Sequence, residues 1–264
     1  MDTWNPKTFS CKILDLLKDN SELIVAYHHE GRRLMDEHLN SDPYESLKPN
    51  QHAPEYQALQ ERTFAPLMEN QRIRAWHYTR LTDDEAVSIE SKLEPSTLLG
   101  LRLRLEKLIR QRILTNDEAE IIYRDSPFQK QSGIRSGIFC AVDIPLRSGY
   151  HGVKPLLESW GGESAYFCLS DKQVASKLKS IGAPRIVEVE TSLRDRRNAY
   201  KAVDMTMRSW ASHLGLAVDR SGHDLFIKYC LDEARVLRVH TEDDGVFESI
   251  ARTYPDGCAG LLED

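Results

Sequence analysis

The stretch Arg72-Ile-Arg-Ala-Trp-His-Tyr-Thr79 decides how the rest of the chain is read. It alternates with a period of two, which puts Ile73, Ala75 and His77 on one face of an extended strand. Three residues further on, Thr82-Asp-Asp-Glu85 is a capping box and predicts a short helix ending near Lys92. A strand that closes on His-Tyr-Thr and hands over to a capped helix presents donors and acceptors at a strand end, where ligands are often held. The competing reading of His77 is a core-facing histidine on an ordinary strand.

Upstream the texture is different. The first 70 residues carry 12 acids against 7 bases, a net of −5. Their apolar residues recur three and four apart, which predicts helices over Phe9–Leu17, Glu22–Leu39 and Tyr56–Leu67, with a polar connector from Asn40 to Pro54. Residues 1–70 therefore read as a helical N-terminal extension, set apart from a second domain over 71–264. His28, His29 and His38 do not make a metal site, because adjacent helical histidines point to different faces.

Downstream, Leu101, Leu105, Leu108 and Ile109 form an apolar stripe, with Arg102, Arg104, Lys107, Arg110 and Arg112 on the other side of the same helix. A second capping box, Thr115-Asn-Asp-Glu118, opens a helix to about Tyr123. Strands are predicted at Gly137–Val142, Ala165–Leu169 and Ile186–Val189, and helices from Ser170 to Gly182 and from Tyr200 to Leu214. A final pair of strands, Leu225–Cys230 and Ala234–Val239, is joined at Asp232-Glu233, and a last helix covers Val246–Tyr254. Short strands scattered among single helices predict an α+β fold rather than a doubly wound sheet. Neither GxGxxG nor GxxxxGK[ST] occurs.

With 264 residues, 41% of them hydrophobic, the chain has ample material for a core. No apolar run approaches the roughly 20 residues needed to cross a bilayer. The start Met-Asp-Thr-Trp-Asn-Pro lacks the pattern of a secretory signal. Five cysteines, at 11, 140, 168, 230 and 258, show no CxxC spacing and read as reduced thiols, so the expected location is cytoplasmic, with no membrane partner. The net charge of −6 argues against coating nucleic acid by bulk charge. Locally the sign reverses: Lys172–Arg208 holds nine bases against four acids, and Arg102–Arg112 five bases against one. Solvated helix faces are the commoner origin of such runs. Two ways of shielding a basic surface stay open, by the acidic N-terminal module or by a separate acidic partner.

Two further segments carry chemistry. Arg135-Ser-Gly137-Ile-Phe139-Cys-Ala runs into an apolar strand, with Tyr150 beyond it. In Trp160-Gly-Gly-Glu163-Ser-Ala-Tyr166 the glycines free the backbone to present Glu163 just before the predicted strand from Ala165. The plain alternatives are a buried strand and a Gly-Gly hairpin with a solvated Glu.

Taken in order, these segments resemble the ADP-ribosyltransferase superfamily over residues 72 to 240. His77-Tyr78-Thr79 is similar to that family's first strand end, His-(Tyr/Gly/Phe)-Thr; Gly100-Leu101 to its Gly-Leu pair; and Gly137-Ile-Phe-Cys-Ala141 to its Gly-Ile-Tyr-Phe-Ala strand. The resemblance implies a split β-sheet core, NAD as substrate and no metal. It implies cofactor contacts from His77, Tyr78, Thr79, Gly100, Arg135, Gly137 and Phe139, and a catalytic set of Glu163, Asp224 and Tyr150, the tyrosine stacking on nicotinamide. For the acid, Glu163 ranks ahead of Asp224 in His223-Asp-Leu-Phe-Ile-Lys-Tyr229, and Glu233 comes third. It further implies transfer of ADP-ribose to a macromolecule, RNA or DNA ahead of protein, by an intracellular toxin or defence effector restrained by an antitoxin or other inhibitory protein. Two competitors remain: an NAD-dependent RNA 2′-phosphotransferase, which shares the His-x-Thr start and leans on arginines, and a non-enzymatic RNA- or partner-binding protein.

Overall fold

Side-chain caps open six of the helices in the computed structural model, which describes residues 1–40, 44, 47–219, 221–228 and 231–252. Ser10 caps α1 (Cys11–Asp19), which is followed at once by α2 (Ser21–Asn40). Helix α3 (Ala53–Leu59) continues through a π turn at Gln60–Phe64 into α4 (Ala65–Met68). Strand β1 (Arg72–Leu81) leads into α5 (Asp83–Ser91), whose Thr82/Glu85 capping box closes in both directions. Helix α6 (Leu98–Arg110) is capped by Thr97, and α7 (Asn116–Asp125) by the second complete capping box, at Thr115 and Glu118. Helix α8 (Phe128–Arg135) is kinked at Gln131 and precedes β2 (Phe139–Val142). The short helices α9 (Lys154–Glu158), α10 (Glu163–Tyr166) and α11 (Lys172–Leu178) follow. Then come β3 (Ala183–Ser192), α12 (Arg196–His213), β4 (Asp224–Ile227), β5 (Arg235–Thr241) and α13 (Gly245–Arg252).

The five strands join one sheet in the order β4-β2-β1-β3-β5, with the pairs β1/β2, β2/β4 and β3/β5 antiparallel. The fold is thus mixed helix and sheet, as an α+β reading requires. Among the described residues the strands form a single sheet, where the sequence resemblance implied a split one. The two last strands, close in sequence, sit at opposite edges of that sheet and do not form a hairpin.

Two compact units emerge from the packing. One holds Met1–Arg74 and Ser192–His223; the other holds Ala75–Thr191 and the described residues from Asp224 onward. The helical unit therefore extends past the division at 70/71 to include α12. Within it, α12 packs on α2, α4 and the π turn. Ala199, Ala202, Val203, Met205 and Met207 face inward, fully buried. Arg194, Arg196 and Arg197 stay exposed. In the sheet-bearing unit, Leu101, Leu105, Leu108, Ile122, Trp160 and Leu178 belong to one cluster that fastens α6, α7 and α11 together.

The predicted strand at Ala165–Leu169 is instead α10 and its exit. Gly161 and Gly162 take positive φ values of 82° and 58°, turning the chain so that Ala165 N and Tyr166 N donate to Gly162 O at 3.0 and 3.2 Å. A Cβ at Gly161 would stand 2.7 Å from the Ala165 Cβ. Four or five apolar letters cannot distinguish a strand from a buried helical turn, and here the two glycines decide for the turn. The cap of α11 is Asp171, so the helix begins two residues after the Ser170 at which the sequence reading starts it. The end of the last predicted helix, and Tyr229, Cys230 and Cys258, lie outside the described residues; Cys11, Cys140 and Cys168 are exposed and form no disulfide.

Candidate functional site

The site begins with register. Trp76 pairs with Val142 across β1/β2, and Val142 pairs with Asp224 across β2/β4. Directly opposed residues share a face, so Trp76, Val142 and Asp224 lie on one side of the sheet, and His77, Thr79, Phe139 and Ala141 on the other. The burial alternation agrees: Phe139, Ala141, Leu225 and Ile227 are buried, while Cys140, Asp224 and Phe226 are exposed.

The two segments that carry the sequence resemblance, sixty residues apart, are thus neighbouring strands. Their signature side chains meet, the rings of His77 and Phe139 lying 4.6 Å apart. His77 Nδ1 is 2.7 Å from Cys140 O, so its N–H donates to that carbonyl and the neutral ring carries its proton on Nδ1. Burial lowers the His77 pKa to about 4; the carbonyl bond opposes the shift, and the charge of Arg104 adds to it. At neutral pH His77 is an uncharged ring whose Nε2 is an acceptor.

Thr79 is buried on the same face. Tyr78 points the other way, and its hydroxyl is engaged with the chain itself, donating to Leu146 O at 2.9 Å and accepting from Leu146 N at 2.5 Å. Gly100 lies inside the first turn of α6, where its N–H donates to Thr97 Oγ1 at 2.9 Å. Gly137 has a φ of 78°, and the chain around it bridges to Ser96: Gly137 N donates to Ser96 O and Ser96 N to Ile138 O, which brings the approach to α6 beside the start of β2.

Glu163 opens α10 and is ion-paired with Arg135 at the end of α8. The Arg135 guanidinium also stacks 4.8 Å above the Phe167 ring and bonds Gln131 at 2.6 Å. The structure therefore joins two residues that the sequence offered for separate roles. Tyr150 sits in the turn before α9, its ring 4.3 Å from that of His151. Asp224 begins β4 on the face opposite His77, and Glu233 lies in a short 3-10 turn at Leu231–Glu233.

Sequence reasoning missed a cluster built on Glu85. Arg104 Nε donates to Glu85 Oε1 at 2.7 Å; Trp160 Nε1 and Thr82 N donate to Oε2 at 2.8 and 2.9 Å. The Arg104 guanidinium lies 4.6 Å over the Trp160 ring, and its Nη2 is buried without a hydrogen-bond partner among the described residues. Burial pushes the Glu85 carboxyl up, but the Arg104 charge and these bonds outweigh it and hold the pKa below its usual range. The capping box located Glu85; nothing in the spacing pointed to Arg104 or Trp160 as its partners.

Arg80, three residues beyond His77, donates to the carbonyls of Ile181, Leu157 and Gly182 at 2.9, 3.3 and 2.9 Å. It borders a cavity of about 440 Å³ walled by Ser148, Gly149, Leu157, Phe247 and Glu242, which does not include His77, Thr79 or Glu163. No group of His, Cys, Asp and Glu among the described residues is arranged to hold a metal ion, and no described helix is long and apolar enough to cross a membrane. No family model matches the chain, and no curated protein or solved structure matches it either.

Proposed function

We propose that the sheet-bearing unit is an ADP-ribosyltransferase that cleaves NAD at the nicotinamide–ribose bond and transfers ADP-ribose to a macromolecular acceptor. The observation that carries this reading is the pairing of the His77-Tyr78-Thr79 strand with the Gly137-Ile-Phe139 strand, with a neutral His77 against Phe139. A histidine with Nδ1–H tied to a carbonyl has a fixed tautomer, and its Nε2 accepts from a ribose hydroxyl. Arg104, close enough to influence His77 and with a buried donor unpartnered, suits the pyrophosphate.

In this reaction the C1′–N bond breaks with its electron pair leaving on nicotinamide, and an acceptor oxygen or nitrogen then bonds to C1′ and gives up its proton. Glu163 supplies the negative charge that stabilises the ribosyl cation. Asp224 is set aside because its strand position faces away from His77. Tyr150 is the proposed aromatic platform. An enzyme of this kind acting on essential macromolecules inside a cell has to be restrained, which gives an inhibitory protein partner its place in the proposal.

The test is incubation with adenylate-labelled NAD and separated protein, RNA and DNA fractions. Label in one fraction with release of nicotinamide is expected; no release of nicotinamide with any fraction overturns the reading. The influence of Arg104 on His77 also favours the RNA 2′-phosphotransferase alternative, which is supported if NAD-dependent loss of a 2′-phosphate from RNA survives Glu163→Gln.

A further inference from the structure

Helix α12 has a buried apolar face and a solvent face that opens with Arg196 and Arg197. Both arginines are exposed, and neither has an ion-pair partner among the described residues. The acids nearby are engaged or outnumbered. Asp195 is the helix cap, accepting from Arg197 N at 2.9 Å and Asn198 N at 3.4 Å. Asp204 lies 2.8 Å from Arg208 and 3.0 Å from His223. Glu61, whose charge acts on Tyr200, is exposed on the π turn next to exposed Arg62.

Residues four apart on a helix are neighbours, so Arg196 stands beside Tyr200, and Arg197 beside Lys201. Tyr200 is 38% exposed, yet its hydroxyl is fixed, donating to Gln60 Oε1 at 3.1 Å. A ring already held in place loses little freedom when something stacks on it. Asp195 takes two amides of the first turn, so it is the guanidinium groups rather than the helix end that face an anion.

We infer that this face of α12, with Arg196, Arg197 and Tyr200, is a docking surface for single-stranded nucleic acid. Paired guanidinium groups beside a half-exposed aromatic ring match a phosphodiester backbone carrying unstacked bases. A duplex offers the phosphates but keeps its bases stacked, and an acidic protein offers carboxylates but no base. The inference does not depend on NAD chemistry, because binding is read without NAD.

The experiment is fluorescence anisotropy of the full chain with short labelled oligouridylate and oligothymidylate, at several salt concentrations. Wild type is expected to bind at low salt, with the logarithm of affinity falling against the logarithm of salt with a slope of about −1.4 for two phosphates. Arg196→Glu/Arg197→Glu should weaken binding about tenfold or more, while Arg102→Glu/Lys107→Glu, on α6, should not. Tyr200→Leu should cost about fivefold with the slope unchanged, and Tyr200→Phe should keep the affinity. Circular dichroism checks folding, and Arg196→Gln/Arg197→Gln replaces the charge reversal if that variant is unfolded. Wild type that fails to bind either strand at low salt, or arginine variants that bind like wild type, overturns the inference. Duplex RNA bound as tightly as a single strand removes the stacking surface, and polyglutamate competing as well as RNA replaces nucleic acid with an acidic protein partner. The ratio of the two oligonucleotide affinities tells RNA from DNA.

Discussion

Two groups of neighbouring cations, one from each basic stretch, end up in opposite states. On α6, Arg102 is ion-paired with Glu120 and lies 3.7 Å from Glu106, Arg104 lies 2.7 Å from Glu85, and Lys107 lies 3.1 Å from Asp84. At the start of α12, Arg196 and Arg197 have no such partners among the described residues. Apart from Glu106, the acids that answer α6 come from the first turn of α5 and from α7, beyond the window in which its bases were counted. Asp195, inside the basic window of α12, caps the helix instead. Net charge over a window therefore says little about which cations are available; the helix packed alongside decides it.

The largest effect should come where an ion pair and the proposed chemistry coincide. Arg135–Glu163 is a half-exposed pair, so its worth to stability is small, about 0–1 kcal/mol. Its worth to turnover is not. Glu163→Gln should lower ADP-ribose transfer by roughly 10²- to 10³-fold with NAD affinity nearly unchanged, and Asp224→Asn should stay close to wild type. Single-turnover transfer and separate NAD titrations check this; a dead Asp224→Asn beside a fully active Glu163→Gln would reverse the two assignments.

Next is the best-connected carboxylate on the paired side. Glu85 accepts from Arg104, Trp160 and Thr82, and its loss strands a guanidinium and an indole N–H. Glu85→Ala should cost about 2–4 kcal/mol in urea unfolding, and Glu85→Gln less. A Glu85→Ala protein as stable as wild type would mean that pairing on α6 is incidental to the fold.

Much of this was legible. Both capping boxes, the α6 stripe and the strand at Arg72–Thr79 are local signals, each acting within four residues, and the structure has all of them, although that strand is buried on both faces. What failed depended on partners far along the chain. Strand order put β4 and β5 at opposite edges despite their closeness in sequence. Trp160-Gly-Gly-Glu163 read as a loop into a strand, because the packing of Ala165 into the α6–α7–α11 cluster, which acts with the two glycines to set the helical turn, is not visible locally. Of the site, His77 and Phe139 were visible as motif letters. Arg104 was visible only as one base among five, since its link to Glu85 and Trp160 spans 19 and 56 positions.

Each unit also contains a histidine with the same shift and a different setting. Burial, with help from the Arg104 charge, lowers His77 to about 4; burial, with help from the Arg208 charge and against Asp204, lowers His28 to about 4. The direction of the pH effect follows. A histidine whose folded pKa lies below its unfolded value of 6.5 gives its full stability above pH 6.5 and loses it as pH falls toward 4. Each should contribute a slope of up to about 1.4 kcal/mol per pH unit near pH 5, a range above the carboxylate titrations. His28→Gln and His77→Gln should each remove one such contribution from urea midpoints measured between pH 6.5 and 5. An unchanged slope in the His77 variant would show that its ring titrates as if in water, and would remove the neutral acceptor from the proposed site.

The smallest effect tests the opening contrast most directly. Lys107 and Asp84 are both substantially exposed, at 41% and 58%. Their attraction works through water and must overcome the side-chain entropy lost in holding the pair together, so a double-mutant cycle should return about 0.2–1 kcal/mol of coupling. Salt should reduce it, because exposed charges are screened within about 10 Å at 0.1 M. Arg196→Ala and Arg197→Ala have no such partner to lose, and each should change stability by no more than about 0.5 kcal/mol. The decisive quantity is the difference in salt response: added salt should lower the stability of wild type relative to Lys107→Ala but leave the gap to Arg196→Ala/Arg197→Ala unchanged or shift it in favour of wild type, since salt also relieves repulsion between adjacent cations. If both gaps shrink alike, the arginines of α12 are paired in solution, and the distinction between the two basic stretches disappears.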